Sequence, residues 1–117
     1  MTRYPKLIPA VKVQWLAALR SGDYEQISGV LRGPSSVRGQ FRYCCLGVLC
    51  NLVEPTKWKG VRHQRRTSTP AGALRDEIWQ QPCSYIAEMN AYNHLTLMND
   101  IDRQPFPVIA DWIEANL

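Results

Sequence analysis

The chain has 117 residues, of which 45% are hydrophobic and 21% charged, and this predicts one compact domain over residues 1–117 and excludes a disordered chain. No apolar run reaches the roughly 18 residues of a membrane span, and the N-terminal residues lack the apolar stretch of a secretory signal. The net charge of +4 is unevenly divided: residues 1–75 carry 13 basic and three acidic side chains (+10), whereas residues 76–117 carry one basic and seven acidic side chains (−6). We therefore expect a cytosolic domain with free thiols and no membrane partner.

The first third of the chain predicts one helix and a small hairpin. Pro9 suits a first helical turn, apolar residues follow at helical spacing, and Gly22 supplies a stop, so a helix is expected over Pro9–Ser21. Alternation over residues 27–32 predicts a strand, and residues 41–43 return as its partner across a loop rich in turn residues.

The segment Cys44–Val53 is nearly all apolar and ends just before Pro55, which cannot continue it. By length and periodicity it fits either an inner strand or a core helix. The helix is favoured because four apolar residues share helical spacing: Leu46, Leu49, Cys50 and Val53. In such a helix Gly47 would let another backbone approach closely.

Further helices are predicted in the second half of the chain. Thr69-Pro70 is a helix-start signature for a segment that Pro82 closes. Residues 84–93 predict another helix, with Asn99-Asp100 as a turn or cap beyond it. The apolar face expected for that helix contains Ile86, Met89 and Asn93.

The last segment carries the clearest amphipathic pattern, with apolar residues at i, i+3, i+4, i+7 and i+11. These residues are Phe106, Ile109, Ala110, Ile113 and Leu117. Asp111 and Glu114 lie beside that face and are expected to be exposed to solvent. Together the elements predict an α+β domain that is mainly helical, with about four helices and a small β-hairpin.

Four cysteines and two histidines provide enough side chains for a tetrahedral zinc site, but their spacing argues against one. Adjacent cysteines usually point to different sides, and Cys44 and Cys45 lie in an apolar run, which favours packing as small hydrophobic side chains. A cysteine nucleophile would need an exposed thiol near His63 or His94. Because no catalytic sequence motif is present, we expect no catalytic residue, metal or cofactor.

The densest charge lies in the run Lys57–Arg66, which has five fixed positive charges, one histidine and one tryptophan. Arginine side chains bind phosphates bidentately, and Trp58 could stack on a base or on a neighbouring guanidinium. The alternative for this run is a solvated basic loop, and the alternative for the whole basic part, residues 1–75, is that it pairs internally with the acidic C-terminal third. The candidate residues for binding a partner or a phosphate are Lys57, Trp58, Lys59, Arg62, His63, Arg65 and Arg66.

Several segments share a pattern with known proteins: WLAALRSG at 15–22, YCCLGVLC at 43–50, Asn99-Asp100, and Phe106 to Leu117. This pattern resembles a group of small uncharacterised proteins of tailed bacteriophages. The likeness covers most of the chain and is weak between Pro55 and Asn93, where the basic run lies. The resemblance implies a phage product in the host bacterial cytoplasm whose motif residues form a shared core; it implies no activity.

The sequence therefore predicts a non-enzymatic phage accessory protein that binds and inhibits or sequesters a host component through a basic surface. Its partner would be a host protein or an anionic ligand, and no oligomeric state is indicated. One alternative is a nucleic-acid-binding protein that uses the run Lys57–Arg66 on phosphates. Another is a sponge for a phosphorylated signalling nucleotide, which would need an enclosed pocket with arginines facing inward.

Overall fold

A computed structural model of the chain describes residues 4–59, 62–63 and 77–117. The helix predicted from Thr69-Pro70 lies largely outside these residues, although Glu77 and Ile78 are helical. The described helices are α1 (Pro9–Ser21), α2 (Cys45–Val53), α3 (Tyr85–Thr96) and α4 (Phe106–Asn116). One sheet contains β1 (Glu25–Gln26), β2 (Arg32–Pro34) and β3 (Phe41–Tyr43), and a second contains β4 (Trp58–Lys59) and β5 (Arg62–His63). This is the mainly helical α+β fold that the sequence predicts.

Helix α1 forms with the predicted bounds, α4 begins at the predicted Phe106 and ends one residue before Leu117, and the two helices pack against each other. Proline stands in the first turn of α1, and Gly22 ends it in the left-handed conformation, with φ of 80°. The backbone N–H of Leu7 donates to the carbonyl of Leu117 over 3.0 Å, so the chain entering α1 lies beside the end of α4. The apolar face predicted for α4 is buried.

Helix α2 confirms the helical interpretation of the cysteine segment and lies at the centre of the core. The indole N–H of Trp15 in α1 donates to the carbonyl of Cys45 over 3.0 Å, which joins the two helices. Gly47 faces the backbone of Leu31 so closely that a Cβ atom there would overlap the Leu31 carbonyl oxygen. The predicted close approach of a second backbone is therefore confirmed.

The strand predicted over residues 27–32 is wrong except at Arg32, because the residues that pair with β3 are Glu25–Gln26 and Arg32–Pro34. Strand β3 is central and pairs in parallel with β1 and antiparallel with β2, in the order β1-β3-β2. Residues 28–31 instead bend from one edge of the sheet to the other, with Gly29 at φ of 85°. Polar contacts of Ile27 and Ser28 with Asn99 hold this bend in place of strand pairing.

Helix α3 is longer than predicted and buries a different face. Ser84 caps its start by accepting a hydrogen bond from the backbone N–H of Ala87. The predicted apolar residue Ile86 is 72% exposed, whereas the acidic Glu88 is buried. In place of the turn or cap predicted at Asn99-Asp100, a π-helical turn, Leu97–Ile101, follows α3 directly, and within it the Asn99 side chain forms hydrogen bonds into the core.

Candidate functional site

The predicted basic run begins as a hairpin. Strands β4 and β5 pair antiparallel, with Trp58 opposite His63 and Lys59 opposite Arg62, so the loop interpretation is wrong for these four residues. Strand β5 adjoins β2 of the larger sheet. Arg65 and Arg66 lie outside the described residues, as do the side chains of Lys57, Lys59, Arg62 and His63.

Trp58 is half-buried and fixes the hairpin to the body of the domain. Its indole N–H donates to Oδ1 of Asn51 over 3.1 Å, and Nδ2 of Asn51 donates to the Tyr24 hydroxyl, also over 3.1 Å. The Tyr43 ring meets the Trp58 ring edge-on, with the centroids 6.1 Å apart. These contacts join β4 to α2, to β3 and to the segment after α1.

Arg32 occupies the space between two aromatic rings. Its guanidinium carbon lies 3.8 Å from the Phe41 ring centroid and 4.3 Å from the Trp58 ring centroid. A guanidinium over an aromatic face is attracted by the quadrupole of the ring. Of the two stacking partners predicted for Trp58, the guanidinium is therefore observed. Sequence reasoning missed Arg32 because the strand register that places it opposite Tyr43 is set by tertiary contacts.

Two further arginines lie on the β2–β3 hairpin. Arg38 is exposed in the turn between β2 and β3. The backbone N–H of Ser35 closes this turn by donating to the Gln40 carbonyl. Arg42 is half-buried, and its Nε donates to the Pro34 carbonyl over 2.9 Å, which orients the guanidinium. We call Arg38, Arg42 and the run Lys57–Arg66 the basic rim.

Carboxylates of the acidic C-terminal third pair with α1. Arg20 donates to Asp111 over 2.8 Å and to Glu114 over 2.9 Å, and these bonds raise the pKa of Arg20. Lys12 donates to the backbone carbonyl of Glu114 over 3.0 Å. The exposure expected for Asp111 and Glu114 is observed, and their basic partner is on α1.

Three of the four cysteines are buried in the core, as the packing interpretation expects. Burial raises the pKa of the Cys44 thiol to about 12 and the pKa of Cys45 and Cys50 well above their ordinary value. Among the residues that the structure describes, no group of three or more His, Cys, Asp or Glu side chains is placed to hold a metal ion. Because burial raises their pKa values, these thiols stay protonated near neutral pH.

Asn99 is fully buried, and sequence reasoning missed its role. Its Oδ1 accepts from the backbone N–H of Cys45 over 3.2 Å and from Gln26 Nε2 over 2.9 Å. Its Nδ2 donates to the Ile27 carbonyl and to an Asp100 carboxylate oxygen. Asn99 thus satisfies an N-terminal N–H of α2 and links the Asn99-Asp100 and cysteine motifs, which are far apart in the sequence.

The whole of this architecture lies within one family match. The model for DUF8296, a domain of unknown function, matches residues 7–117. The chain belongs to the DUF8296 family. No curated protein and no solved structure matches the chain.

The DUF8296 match includes the basic rim together with the buried cysteine helix. Among the described helices of this DUF8296 domain, none has the length and apolar character needed to cross a membrane. A cleft of about 360 Å³ lies between the N-terminal segment and the start of α3, with Lys6 and no arginine among its described lining residues. This cleft does not match the arginine-lined pocket that a nucleotide sponge would need.

Proposed function

We propose that this DUF8296 chain is a non-enzymatic binding protein that inhibits or sequesters an anionic host component through the basic rim. The observation that carries the proposal is the fixed position of Trp58, which holds β4 against α2 through Asn51 and against the β1–β3–β2 sheet through Arg32. Binding groups on an ordered framework lose less conformational entropy when a partner binds. A basic run with a fixed residue such as Trp58 is better suited to recognition than one without such an anchor.

The distribution of charge supports an anionic partner. Residues 32–66 contain eight basic side chains and one acidic side chain, Glu54, which is buried. The β1–β3–β2 sheet also carries an exposed acidic side chain, Glu25, which lies opposite Arg42 in the β1–β3 register and accepts a hydrogen bond from Ser35 Oγ over 2.6 Å. Clustered charge of one sign raises the rate at which an oppositely charged partner associates.

Burial of the cysteine motif supports a binding function over thiol chemistry. A nucleophilic cysteine needs a thiolate in an accessible, electropositive site. Cys44, Cys45 and Cys50 are instead buried with raised pKa values. We infer that the motif residues form the framework and that the basic rim carries the interaction.

We also infer that the protein is a phage product acting in the host bacterial cytoplasm. This inference rests on the resemblance of the YCCLGVLC, Asn99-Asp100 and C-terminal segments to proteins of tailed bacteriophages. In the structure these segments contact one another through Asn99 and the core, which supports treating them as one shared framework.

The test is affinity capture from host lysate with the wild-type chain and with Arg62→Ala/Arg65→Ala/Arg66→Ala. The wild-type chain should retain one host component, and the triple variant should lose it. A matched control, Lys6→Ala/Lys12→Ala/Arg103→Gly, removes the same charge elsewhere; glycine suits position 103, where φ is 51°. Identical captures by the wild-type chain and the Arg62/Arg65/Arg66 variant would contradict the proposal.

A further inference from the structure

We propose that α3 and the π-helical turn after it form an interface between two copies of this chain, in which the two helices lie antiparallel. The surface is the α3 stripe, which consists of Ile86, Asn90, Asn93, Leu97 and Ile101. This inference goes beyond the proposed function and uses no residue of the basic rim.

The α3 stripe is exposed and has the spacing of one helix face. Its members are separated by 4, 3, 4 and 4 residues, so they recur about once per turn along α3 and into the π-helical turn. Ile86 is 72% exposed, Leu97 45% and Ile101 71%, and Asn90 and Asn93 are exposed as well. The opposite face of α3 packs into the core, so the stripe is the face that is open to a partner.

The α3 stripe carries no charged side chain over about four turns of helix. Apolar side chains on the surface of a monomeric protein are usually scattered singly. Here three of the large apolar side chains that the described residues expose lie in one line, and they include the two most exposed, Ile86 and Ile101. A continuous apolar line without charge is typical of a surface that another molecule covers.

The order of side chains in the stripe fits a second copy of itself. When the stripe is reversed, its spacings become 4, 4, 3 and 4, an isoleucine again stands at either end, and Asn93 stays near the middle. A two-fold interface brings a surface against the same surface of its partner, so its pattern must be nearly unchanged on reversal. In an antiparallel pair, Ile86 therefore meets Ile101 of the second copy.

Asn93 supplies the polar contact near the two-fold axis. Each side-chain amide has donors and an acceptor, so two asparagines that face each other across the axis bond to one another. A polar residue at one position of an otherwise apolar helix pair fixes the register of the pair. We therefore expect one register rather than a set of sliding contacts.

The charges at the two ends of the stripe favour the antiparallel orientation. The far end carries Asp100, Asp102 and Arg103, a net charge of −1. The near end is the N-terminus of α3, which has a partial positive charge; Lys6 lines the cleft beside it, and Glu88 of that turn is buried on the opposite face. An antiparallel pair places the acidic end of each copy beside the positive end of the other, whereas a parallel pair would place like charges together.

The size of the stripe predicts a weak dimer. A stable complex buries about 800 Å² on each partner, and five side chains on one helix offer less, so we expect a Kd on the order of 10–100 µM. A membrane is a poorer occupant of this face. Helices that lie on membranes carry Lys or Arg beside the apolar face, and residues 84–102 contain neither.

The experiment measures the mass in solution by sedimentation equilibrium over about 5–500 µM, a range that includes the expected Kd. The wild-type mass should rise from that of one chain toward that of two. Ile86→Glu and Ile101→Lys should each raise the Kd about tenfold or more, because each places a charge in the apolar contact. An equimolar mixture of the two variants should recover a Kd within about threefold of the wild-type value, because the two opposite charges then meet in an antiparallel pair.

Val13→Glu is the matched control, because Val13 is 66% exposed on α1 and lies outside the stripe. Its Kd should equal that of the wild-type chain. Glutamate in the first turn of α3 and lysine at the end of the π-helical turn both suit the helix dipole, so the stripe variants should fold normally. Circular dichroism and the thermal midpoint at the lowest concentration check this.

Each possible failure has a distinct signature. A wild-type chain that stays monomeric at the highest concentration would overturn the inference, including the case in which residues outside the described ranges cover the stripe. Association that survives both stripe substitutions, or that Val13→Glu removes, would assign the contact to another face and overturn it as well. Two weakened variants that do not recover on mixing would overturn the antiparallel arrangement. None of these measurements involves the basic rim, so the proposed function stands or fails separately.

Discussion

Helix α2 contacts β3 of the β1–β3–β2 sheet, the described strand β5 of the basic rim contacts β2 of that sheet, and the two regions use their polar groups in opposite ways. At the start of α2 the backbone N–H groups of Cys45 and Gly47 are satisfied by Asn99 and by the Cys44 sulfur. In the basic rim, one nitrogen of Arg42 is bonded internally and others remain as donors. The α2 region is therefore closed to outside chemistry, and the rim is available for it.

Trp58 and Arg32 connect these two regions. Trp58 donates to Asn51 of α2, and its ring packs on Arg32 beside the rim. Anchoring of this kind lets a buried framework determine where surface charge is placed. If the comparison is right, variants in α2 should affect folding, and variants in the rim should affect partner binding with little effect on folding.

The sharpest test of the closed core is thiol reactivity. At pH 8 a thiol with a pKa of about 12 is ionised to about one part in 10⁴, so Cys44 should react with Ellman's reagent only on unfolding, as should Cys45 and Cys50. Half-exposed Cys83 should react first. Cys83→Ser should abolish the fast phase, and more than one fast thiol in the native wild-type chain would contradict the buried packing.

Gly47→Ala should destabilise the core strongly although it adds only one methyl group. The added Cβ would overlap the Leu31 carbonyl, which also accepts the Cys44 N–H, so backbone must move. We expect a loss of about 3 kcal/mol in the free energy of unfolding, measured by urea titration. Gly22→Ala is the matched control: its Cβ meets no atom, and only the left-handed backbone opposes it, at about 1 kcal/mol. Equal losses would contradict the close approach at Gly47.

Asn99→Asp should destabilise by about 2 kcal/mol near neutral pH, because it loses the Nδ2 donor and buries a charge beside Asp100. Burial holds the pKa of the introduced carboxyl above its unfolded value of about 3.9. The folded state then binds the proton more tightly than the unfolded state does. The loss in the free energy of unfolding is therefore small below pH 4 and grows as pH rises. Asn99→Ala should show no such pH dependence, and a flat difference for Asn99→Asp would contradict the burial.

The sequence predicts local features of this fold better than its non-local contacts. The periodicity of α1 and α4 and the apolar run of α2 depend on neighbouring residues, and all three helices form as predicted. The parallel pairing of β1 with β3 and the burial of Asn99 depend on distant parts of the chain. From neighbouring residues alone, a polar residue such as Asn99 indicates a surface turn. Its burial becomes clear only when its distant hydrogen-bond partners are known.

The same distinction applies to the candidate site. The charge of the run Lys57–Arg66 is visible in the sequence, and a guanidinium partner for Trp58 was among the alternatives. The partner is Arg32, and it lies next to Trp58 because of the strand register and the contact between β5 and β2. The same register places Arg38 and Arg42 on the β2–β3 hairpin, beside strand β2. Composition could therefore predict the anion-binding surface that we propose without indicating which residues outside the run belong to it.

Trp58→Phe should test the anchor between the two regions. It retains a ring for Arg32 and removes the hydrogen bond to Asn51, so we expect a loss of about 1 kcal/mol in urea titrations. Trp58→Ala also removes the ring and should weaken partner binding although every charge of the rim is kept. Trp112→Phe, at a half-buried ring stacked on His94, is the control for a general effect of indole removal. Partner binding unchanged in Trp58→Ala would contradict the anchoring role.

Arg20→Gln should have the smallest effect on stability. Its effect on binding tests whether the partner contacts only the basic rim. Arg20 and its two carboxylate partners are exposed, so the thermal midpoint should fall slightly at low salt and match the wild-type midpoint in 1 M salt, where the Debye length is about 3 Å. Removing Arg20 also frees Asp111 and Glu114, which increases the negative charge on the α1–α4 side. If partner binding is confined to the rim, the salt slope of binding should remain that of the wild-type chain. A changed slope would mean that the α1–α4 side takes part in binding, because a distant exposed pair is screened from the rim at ordinary ionic strength.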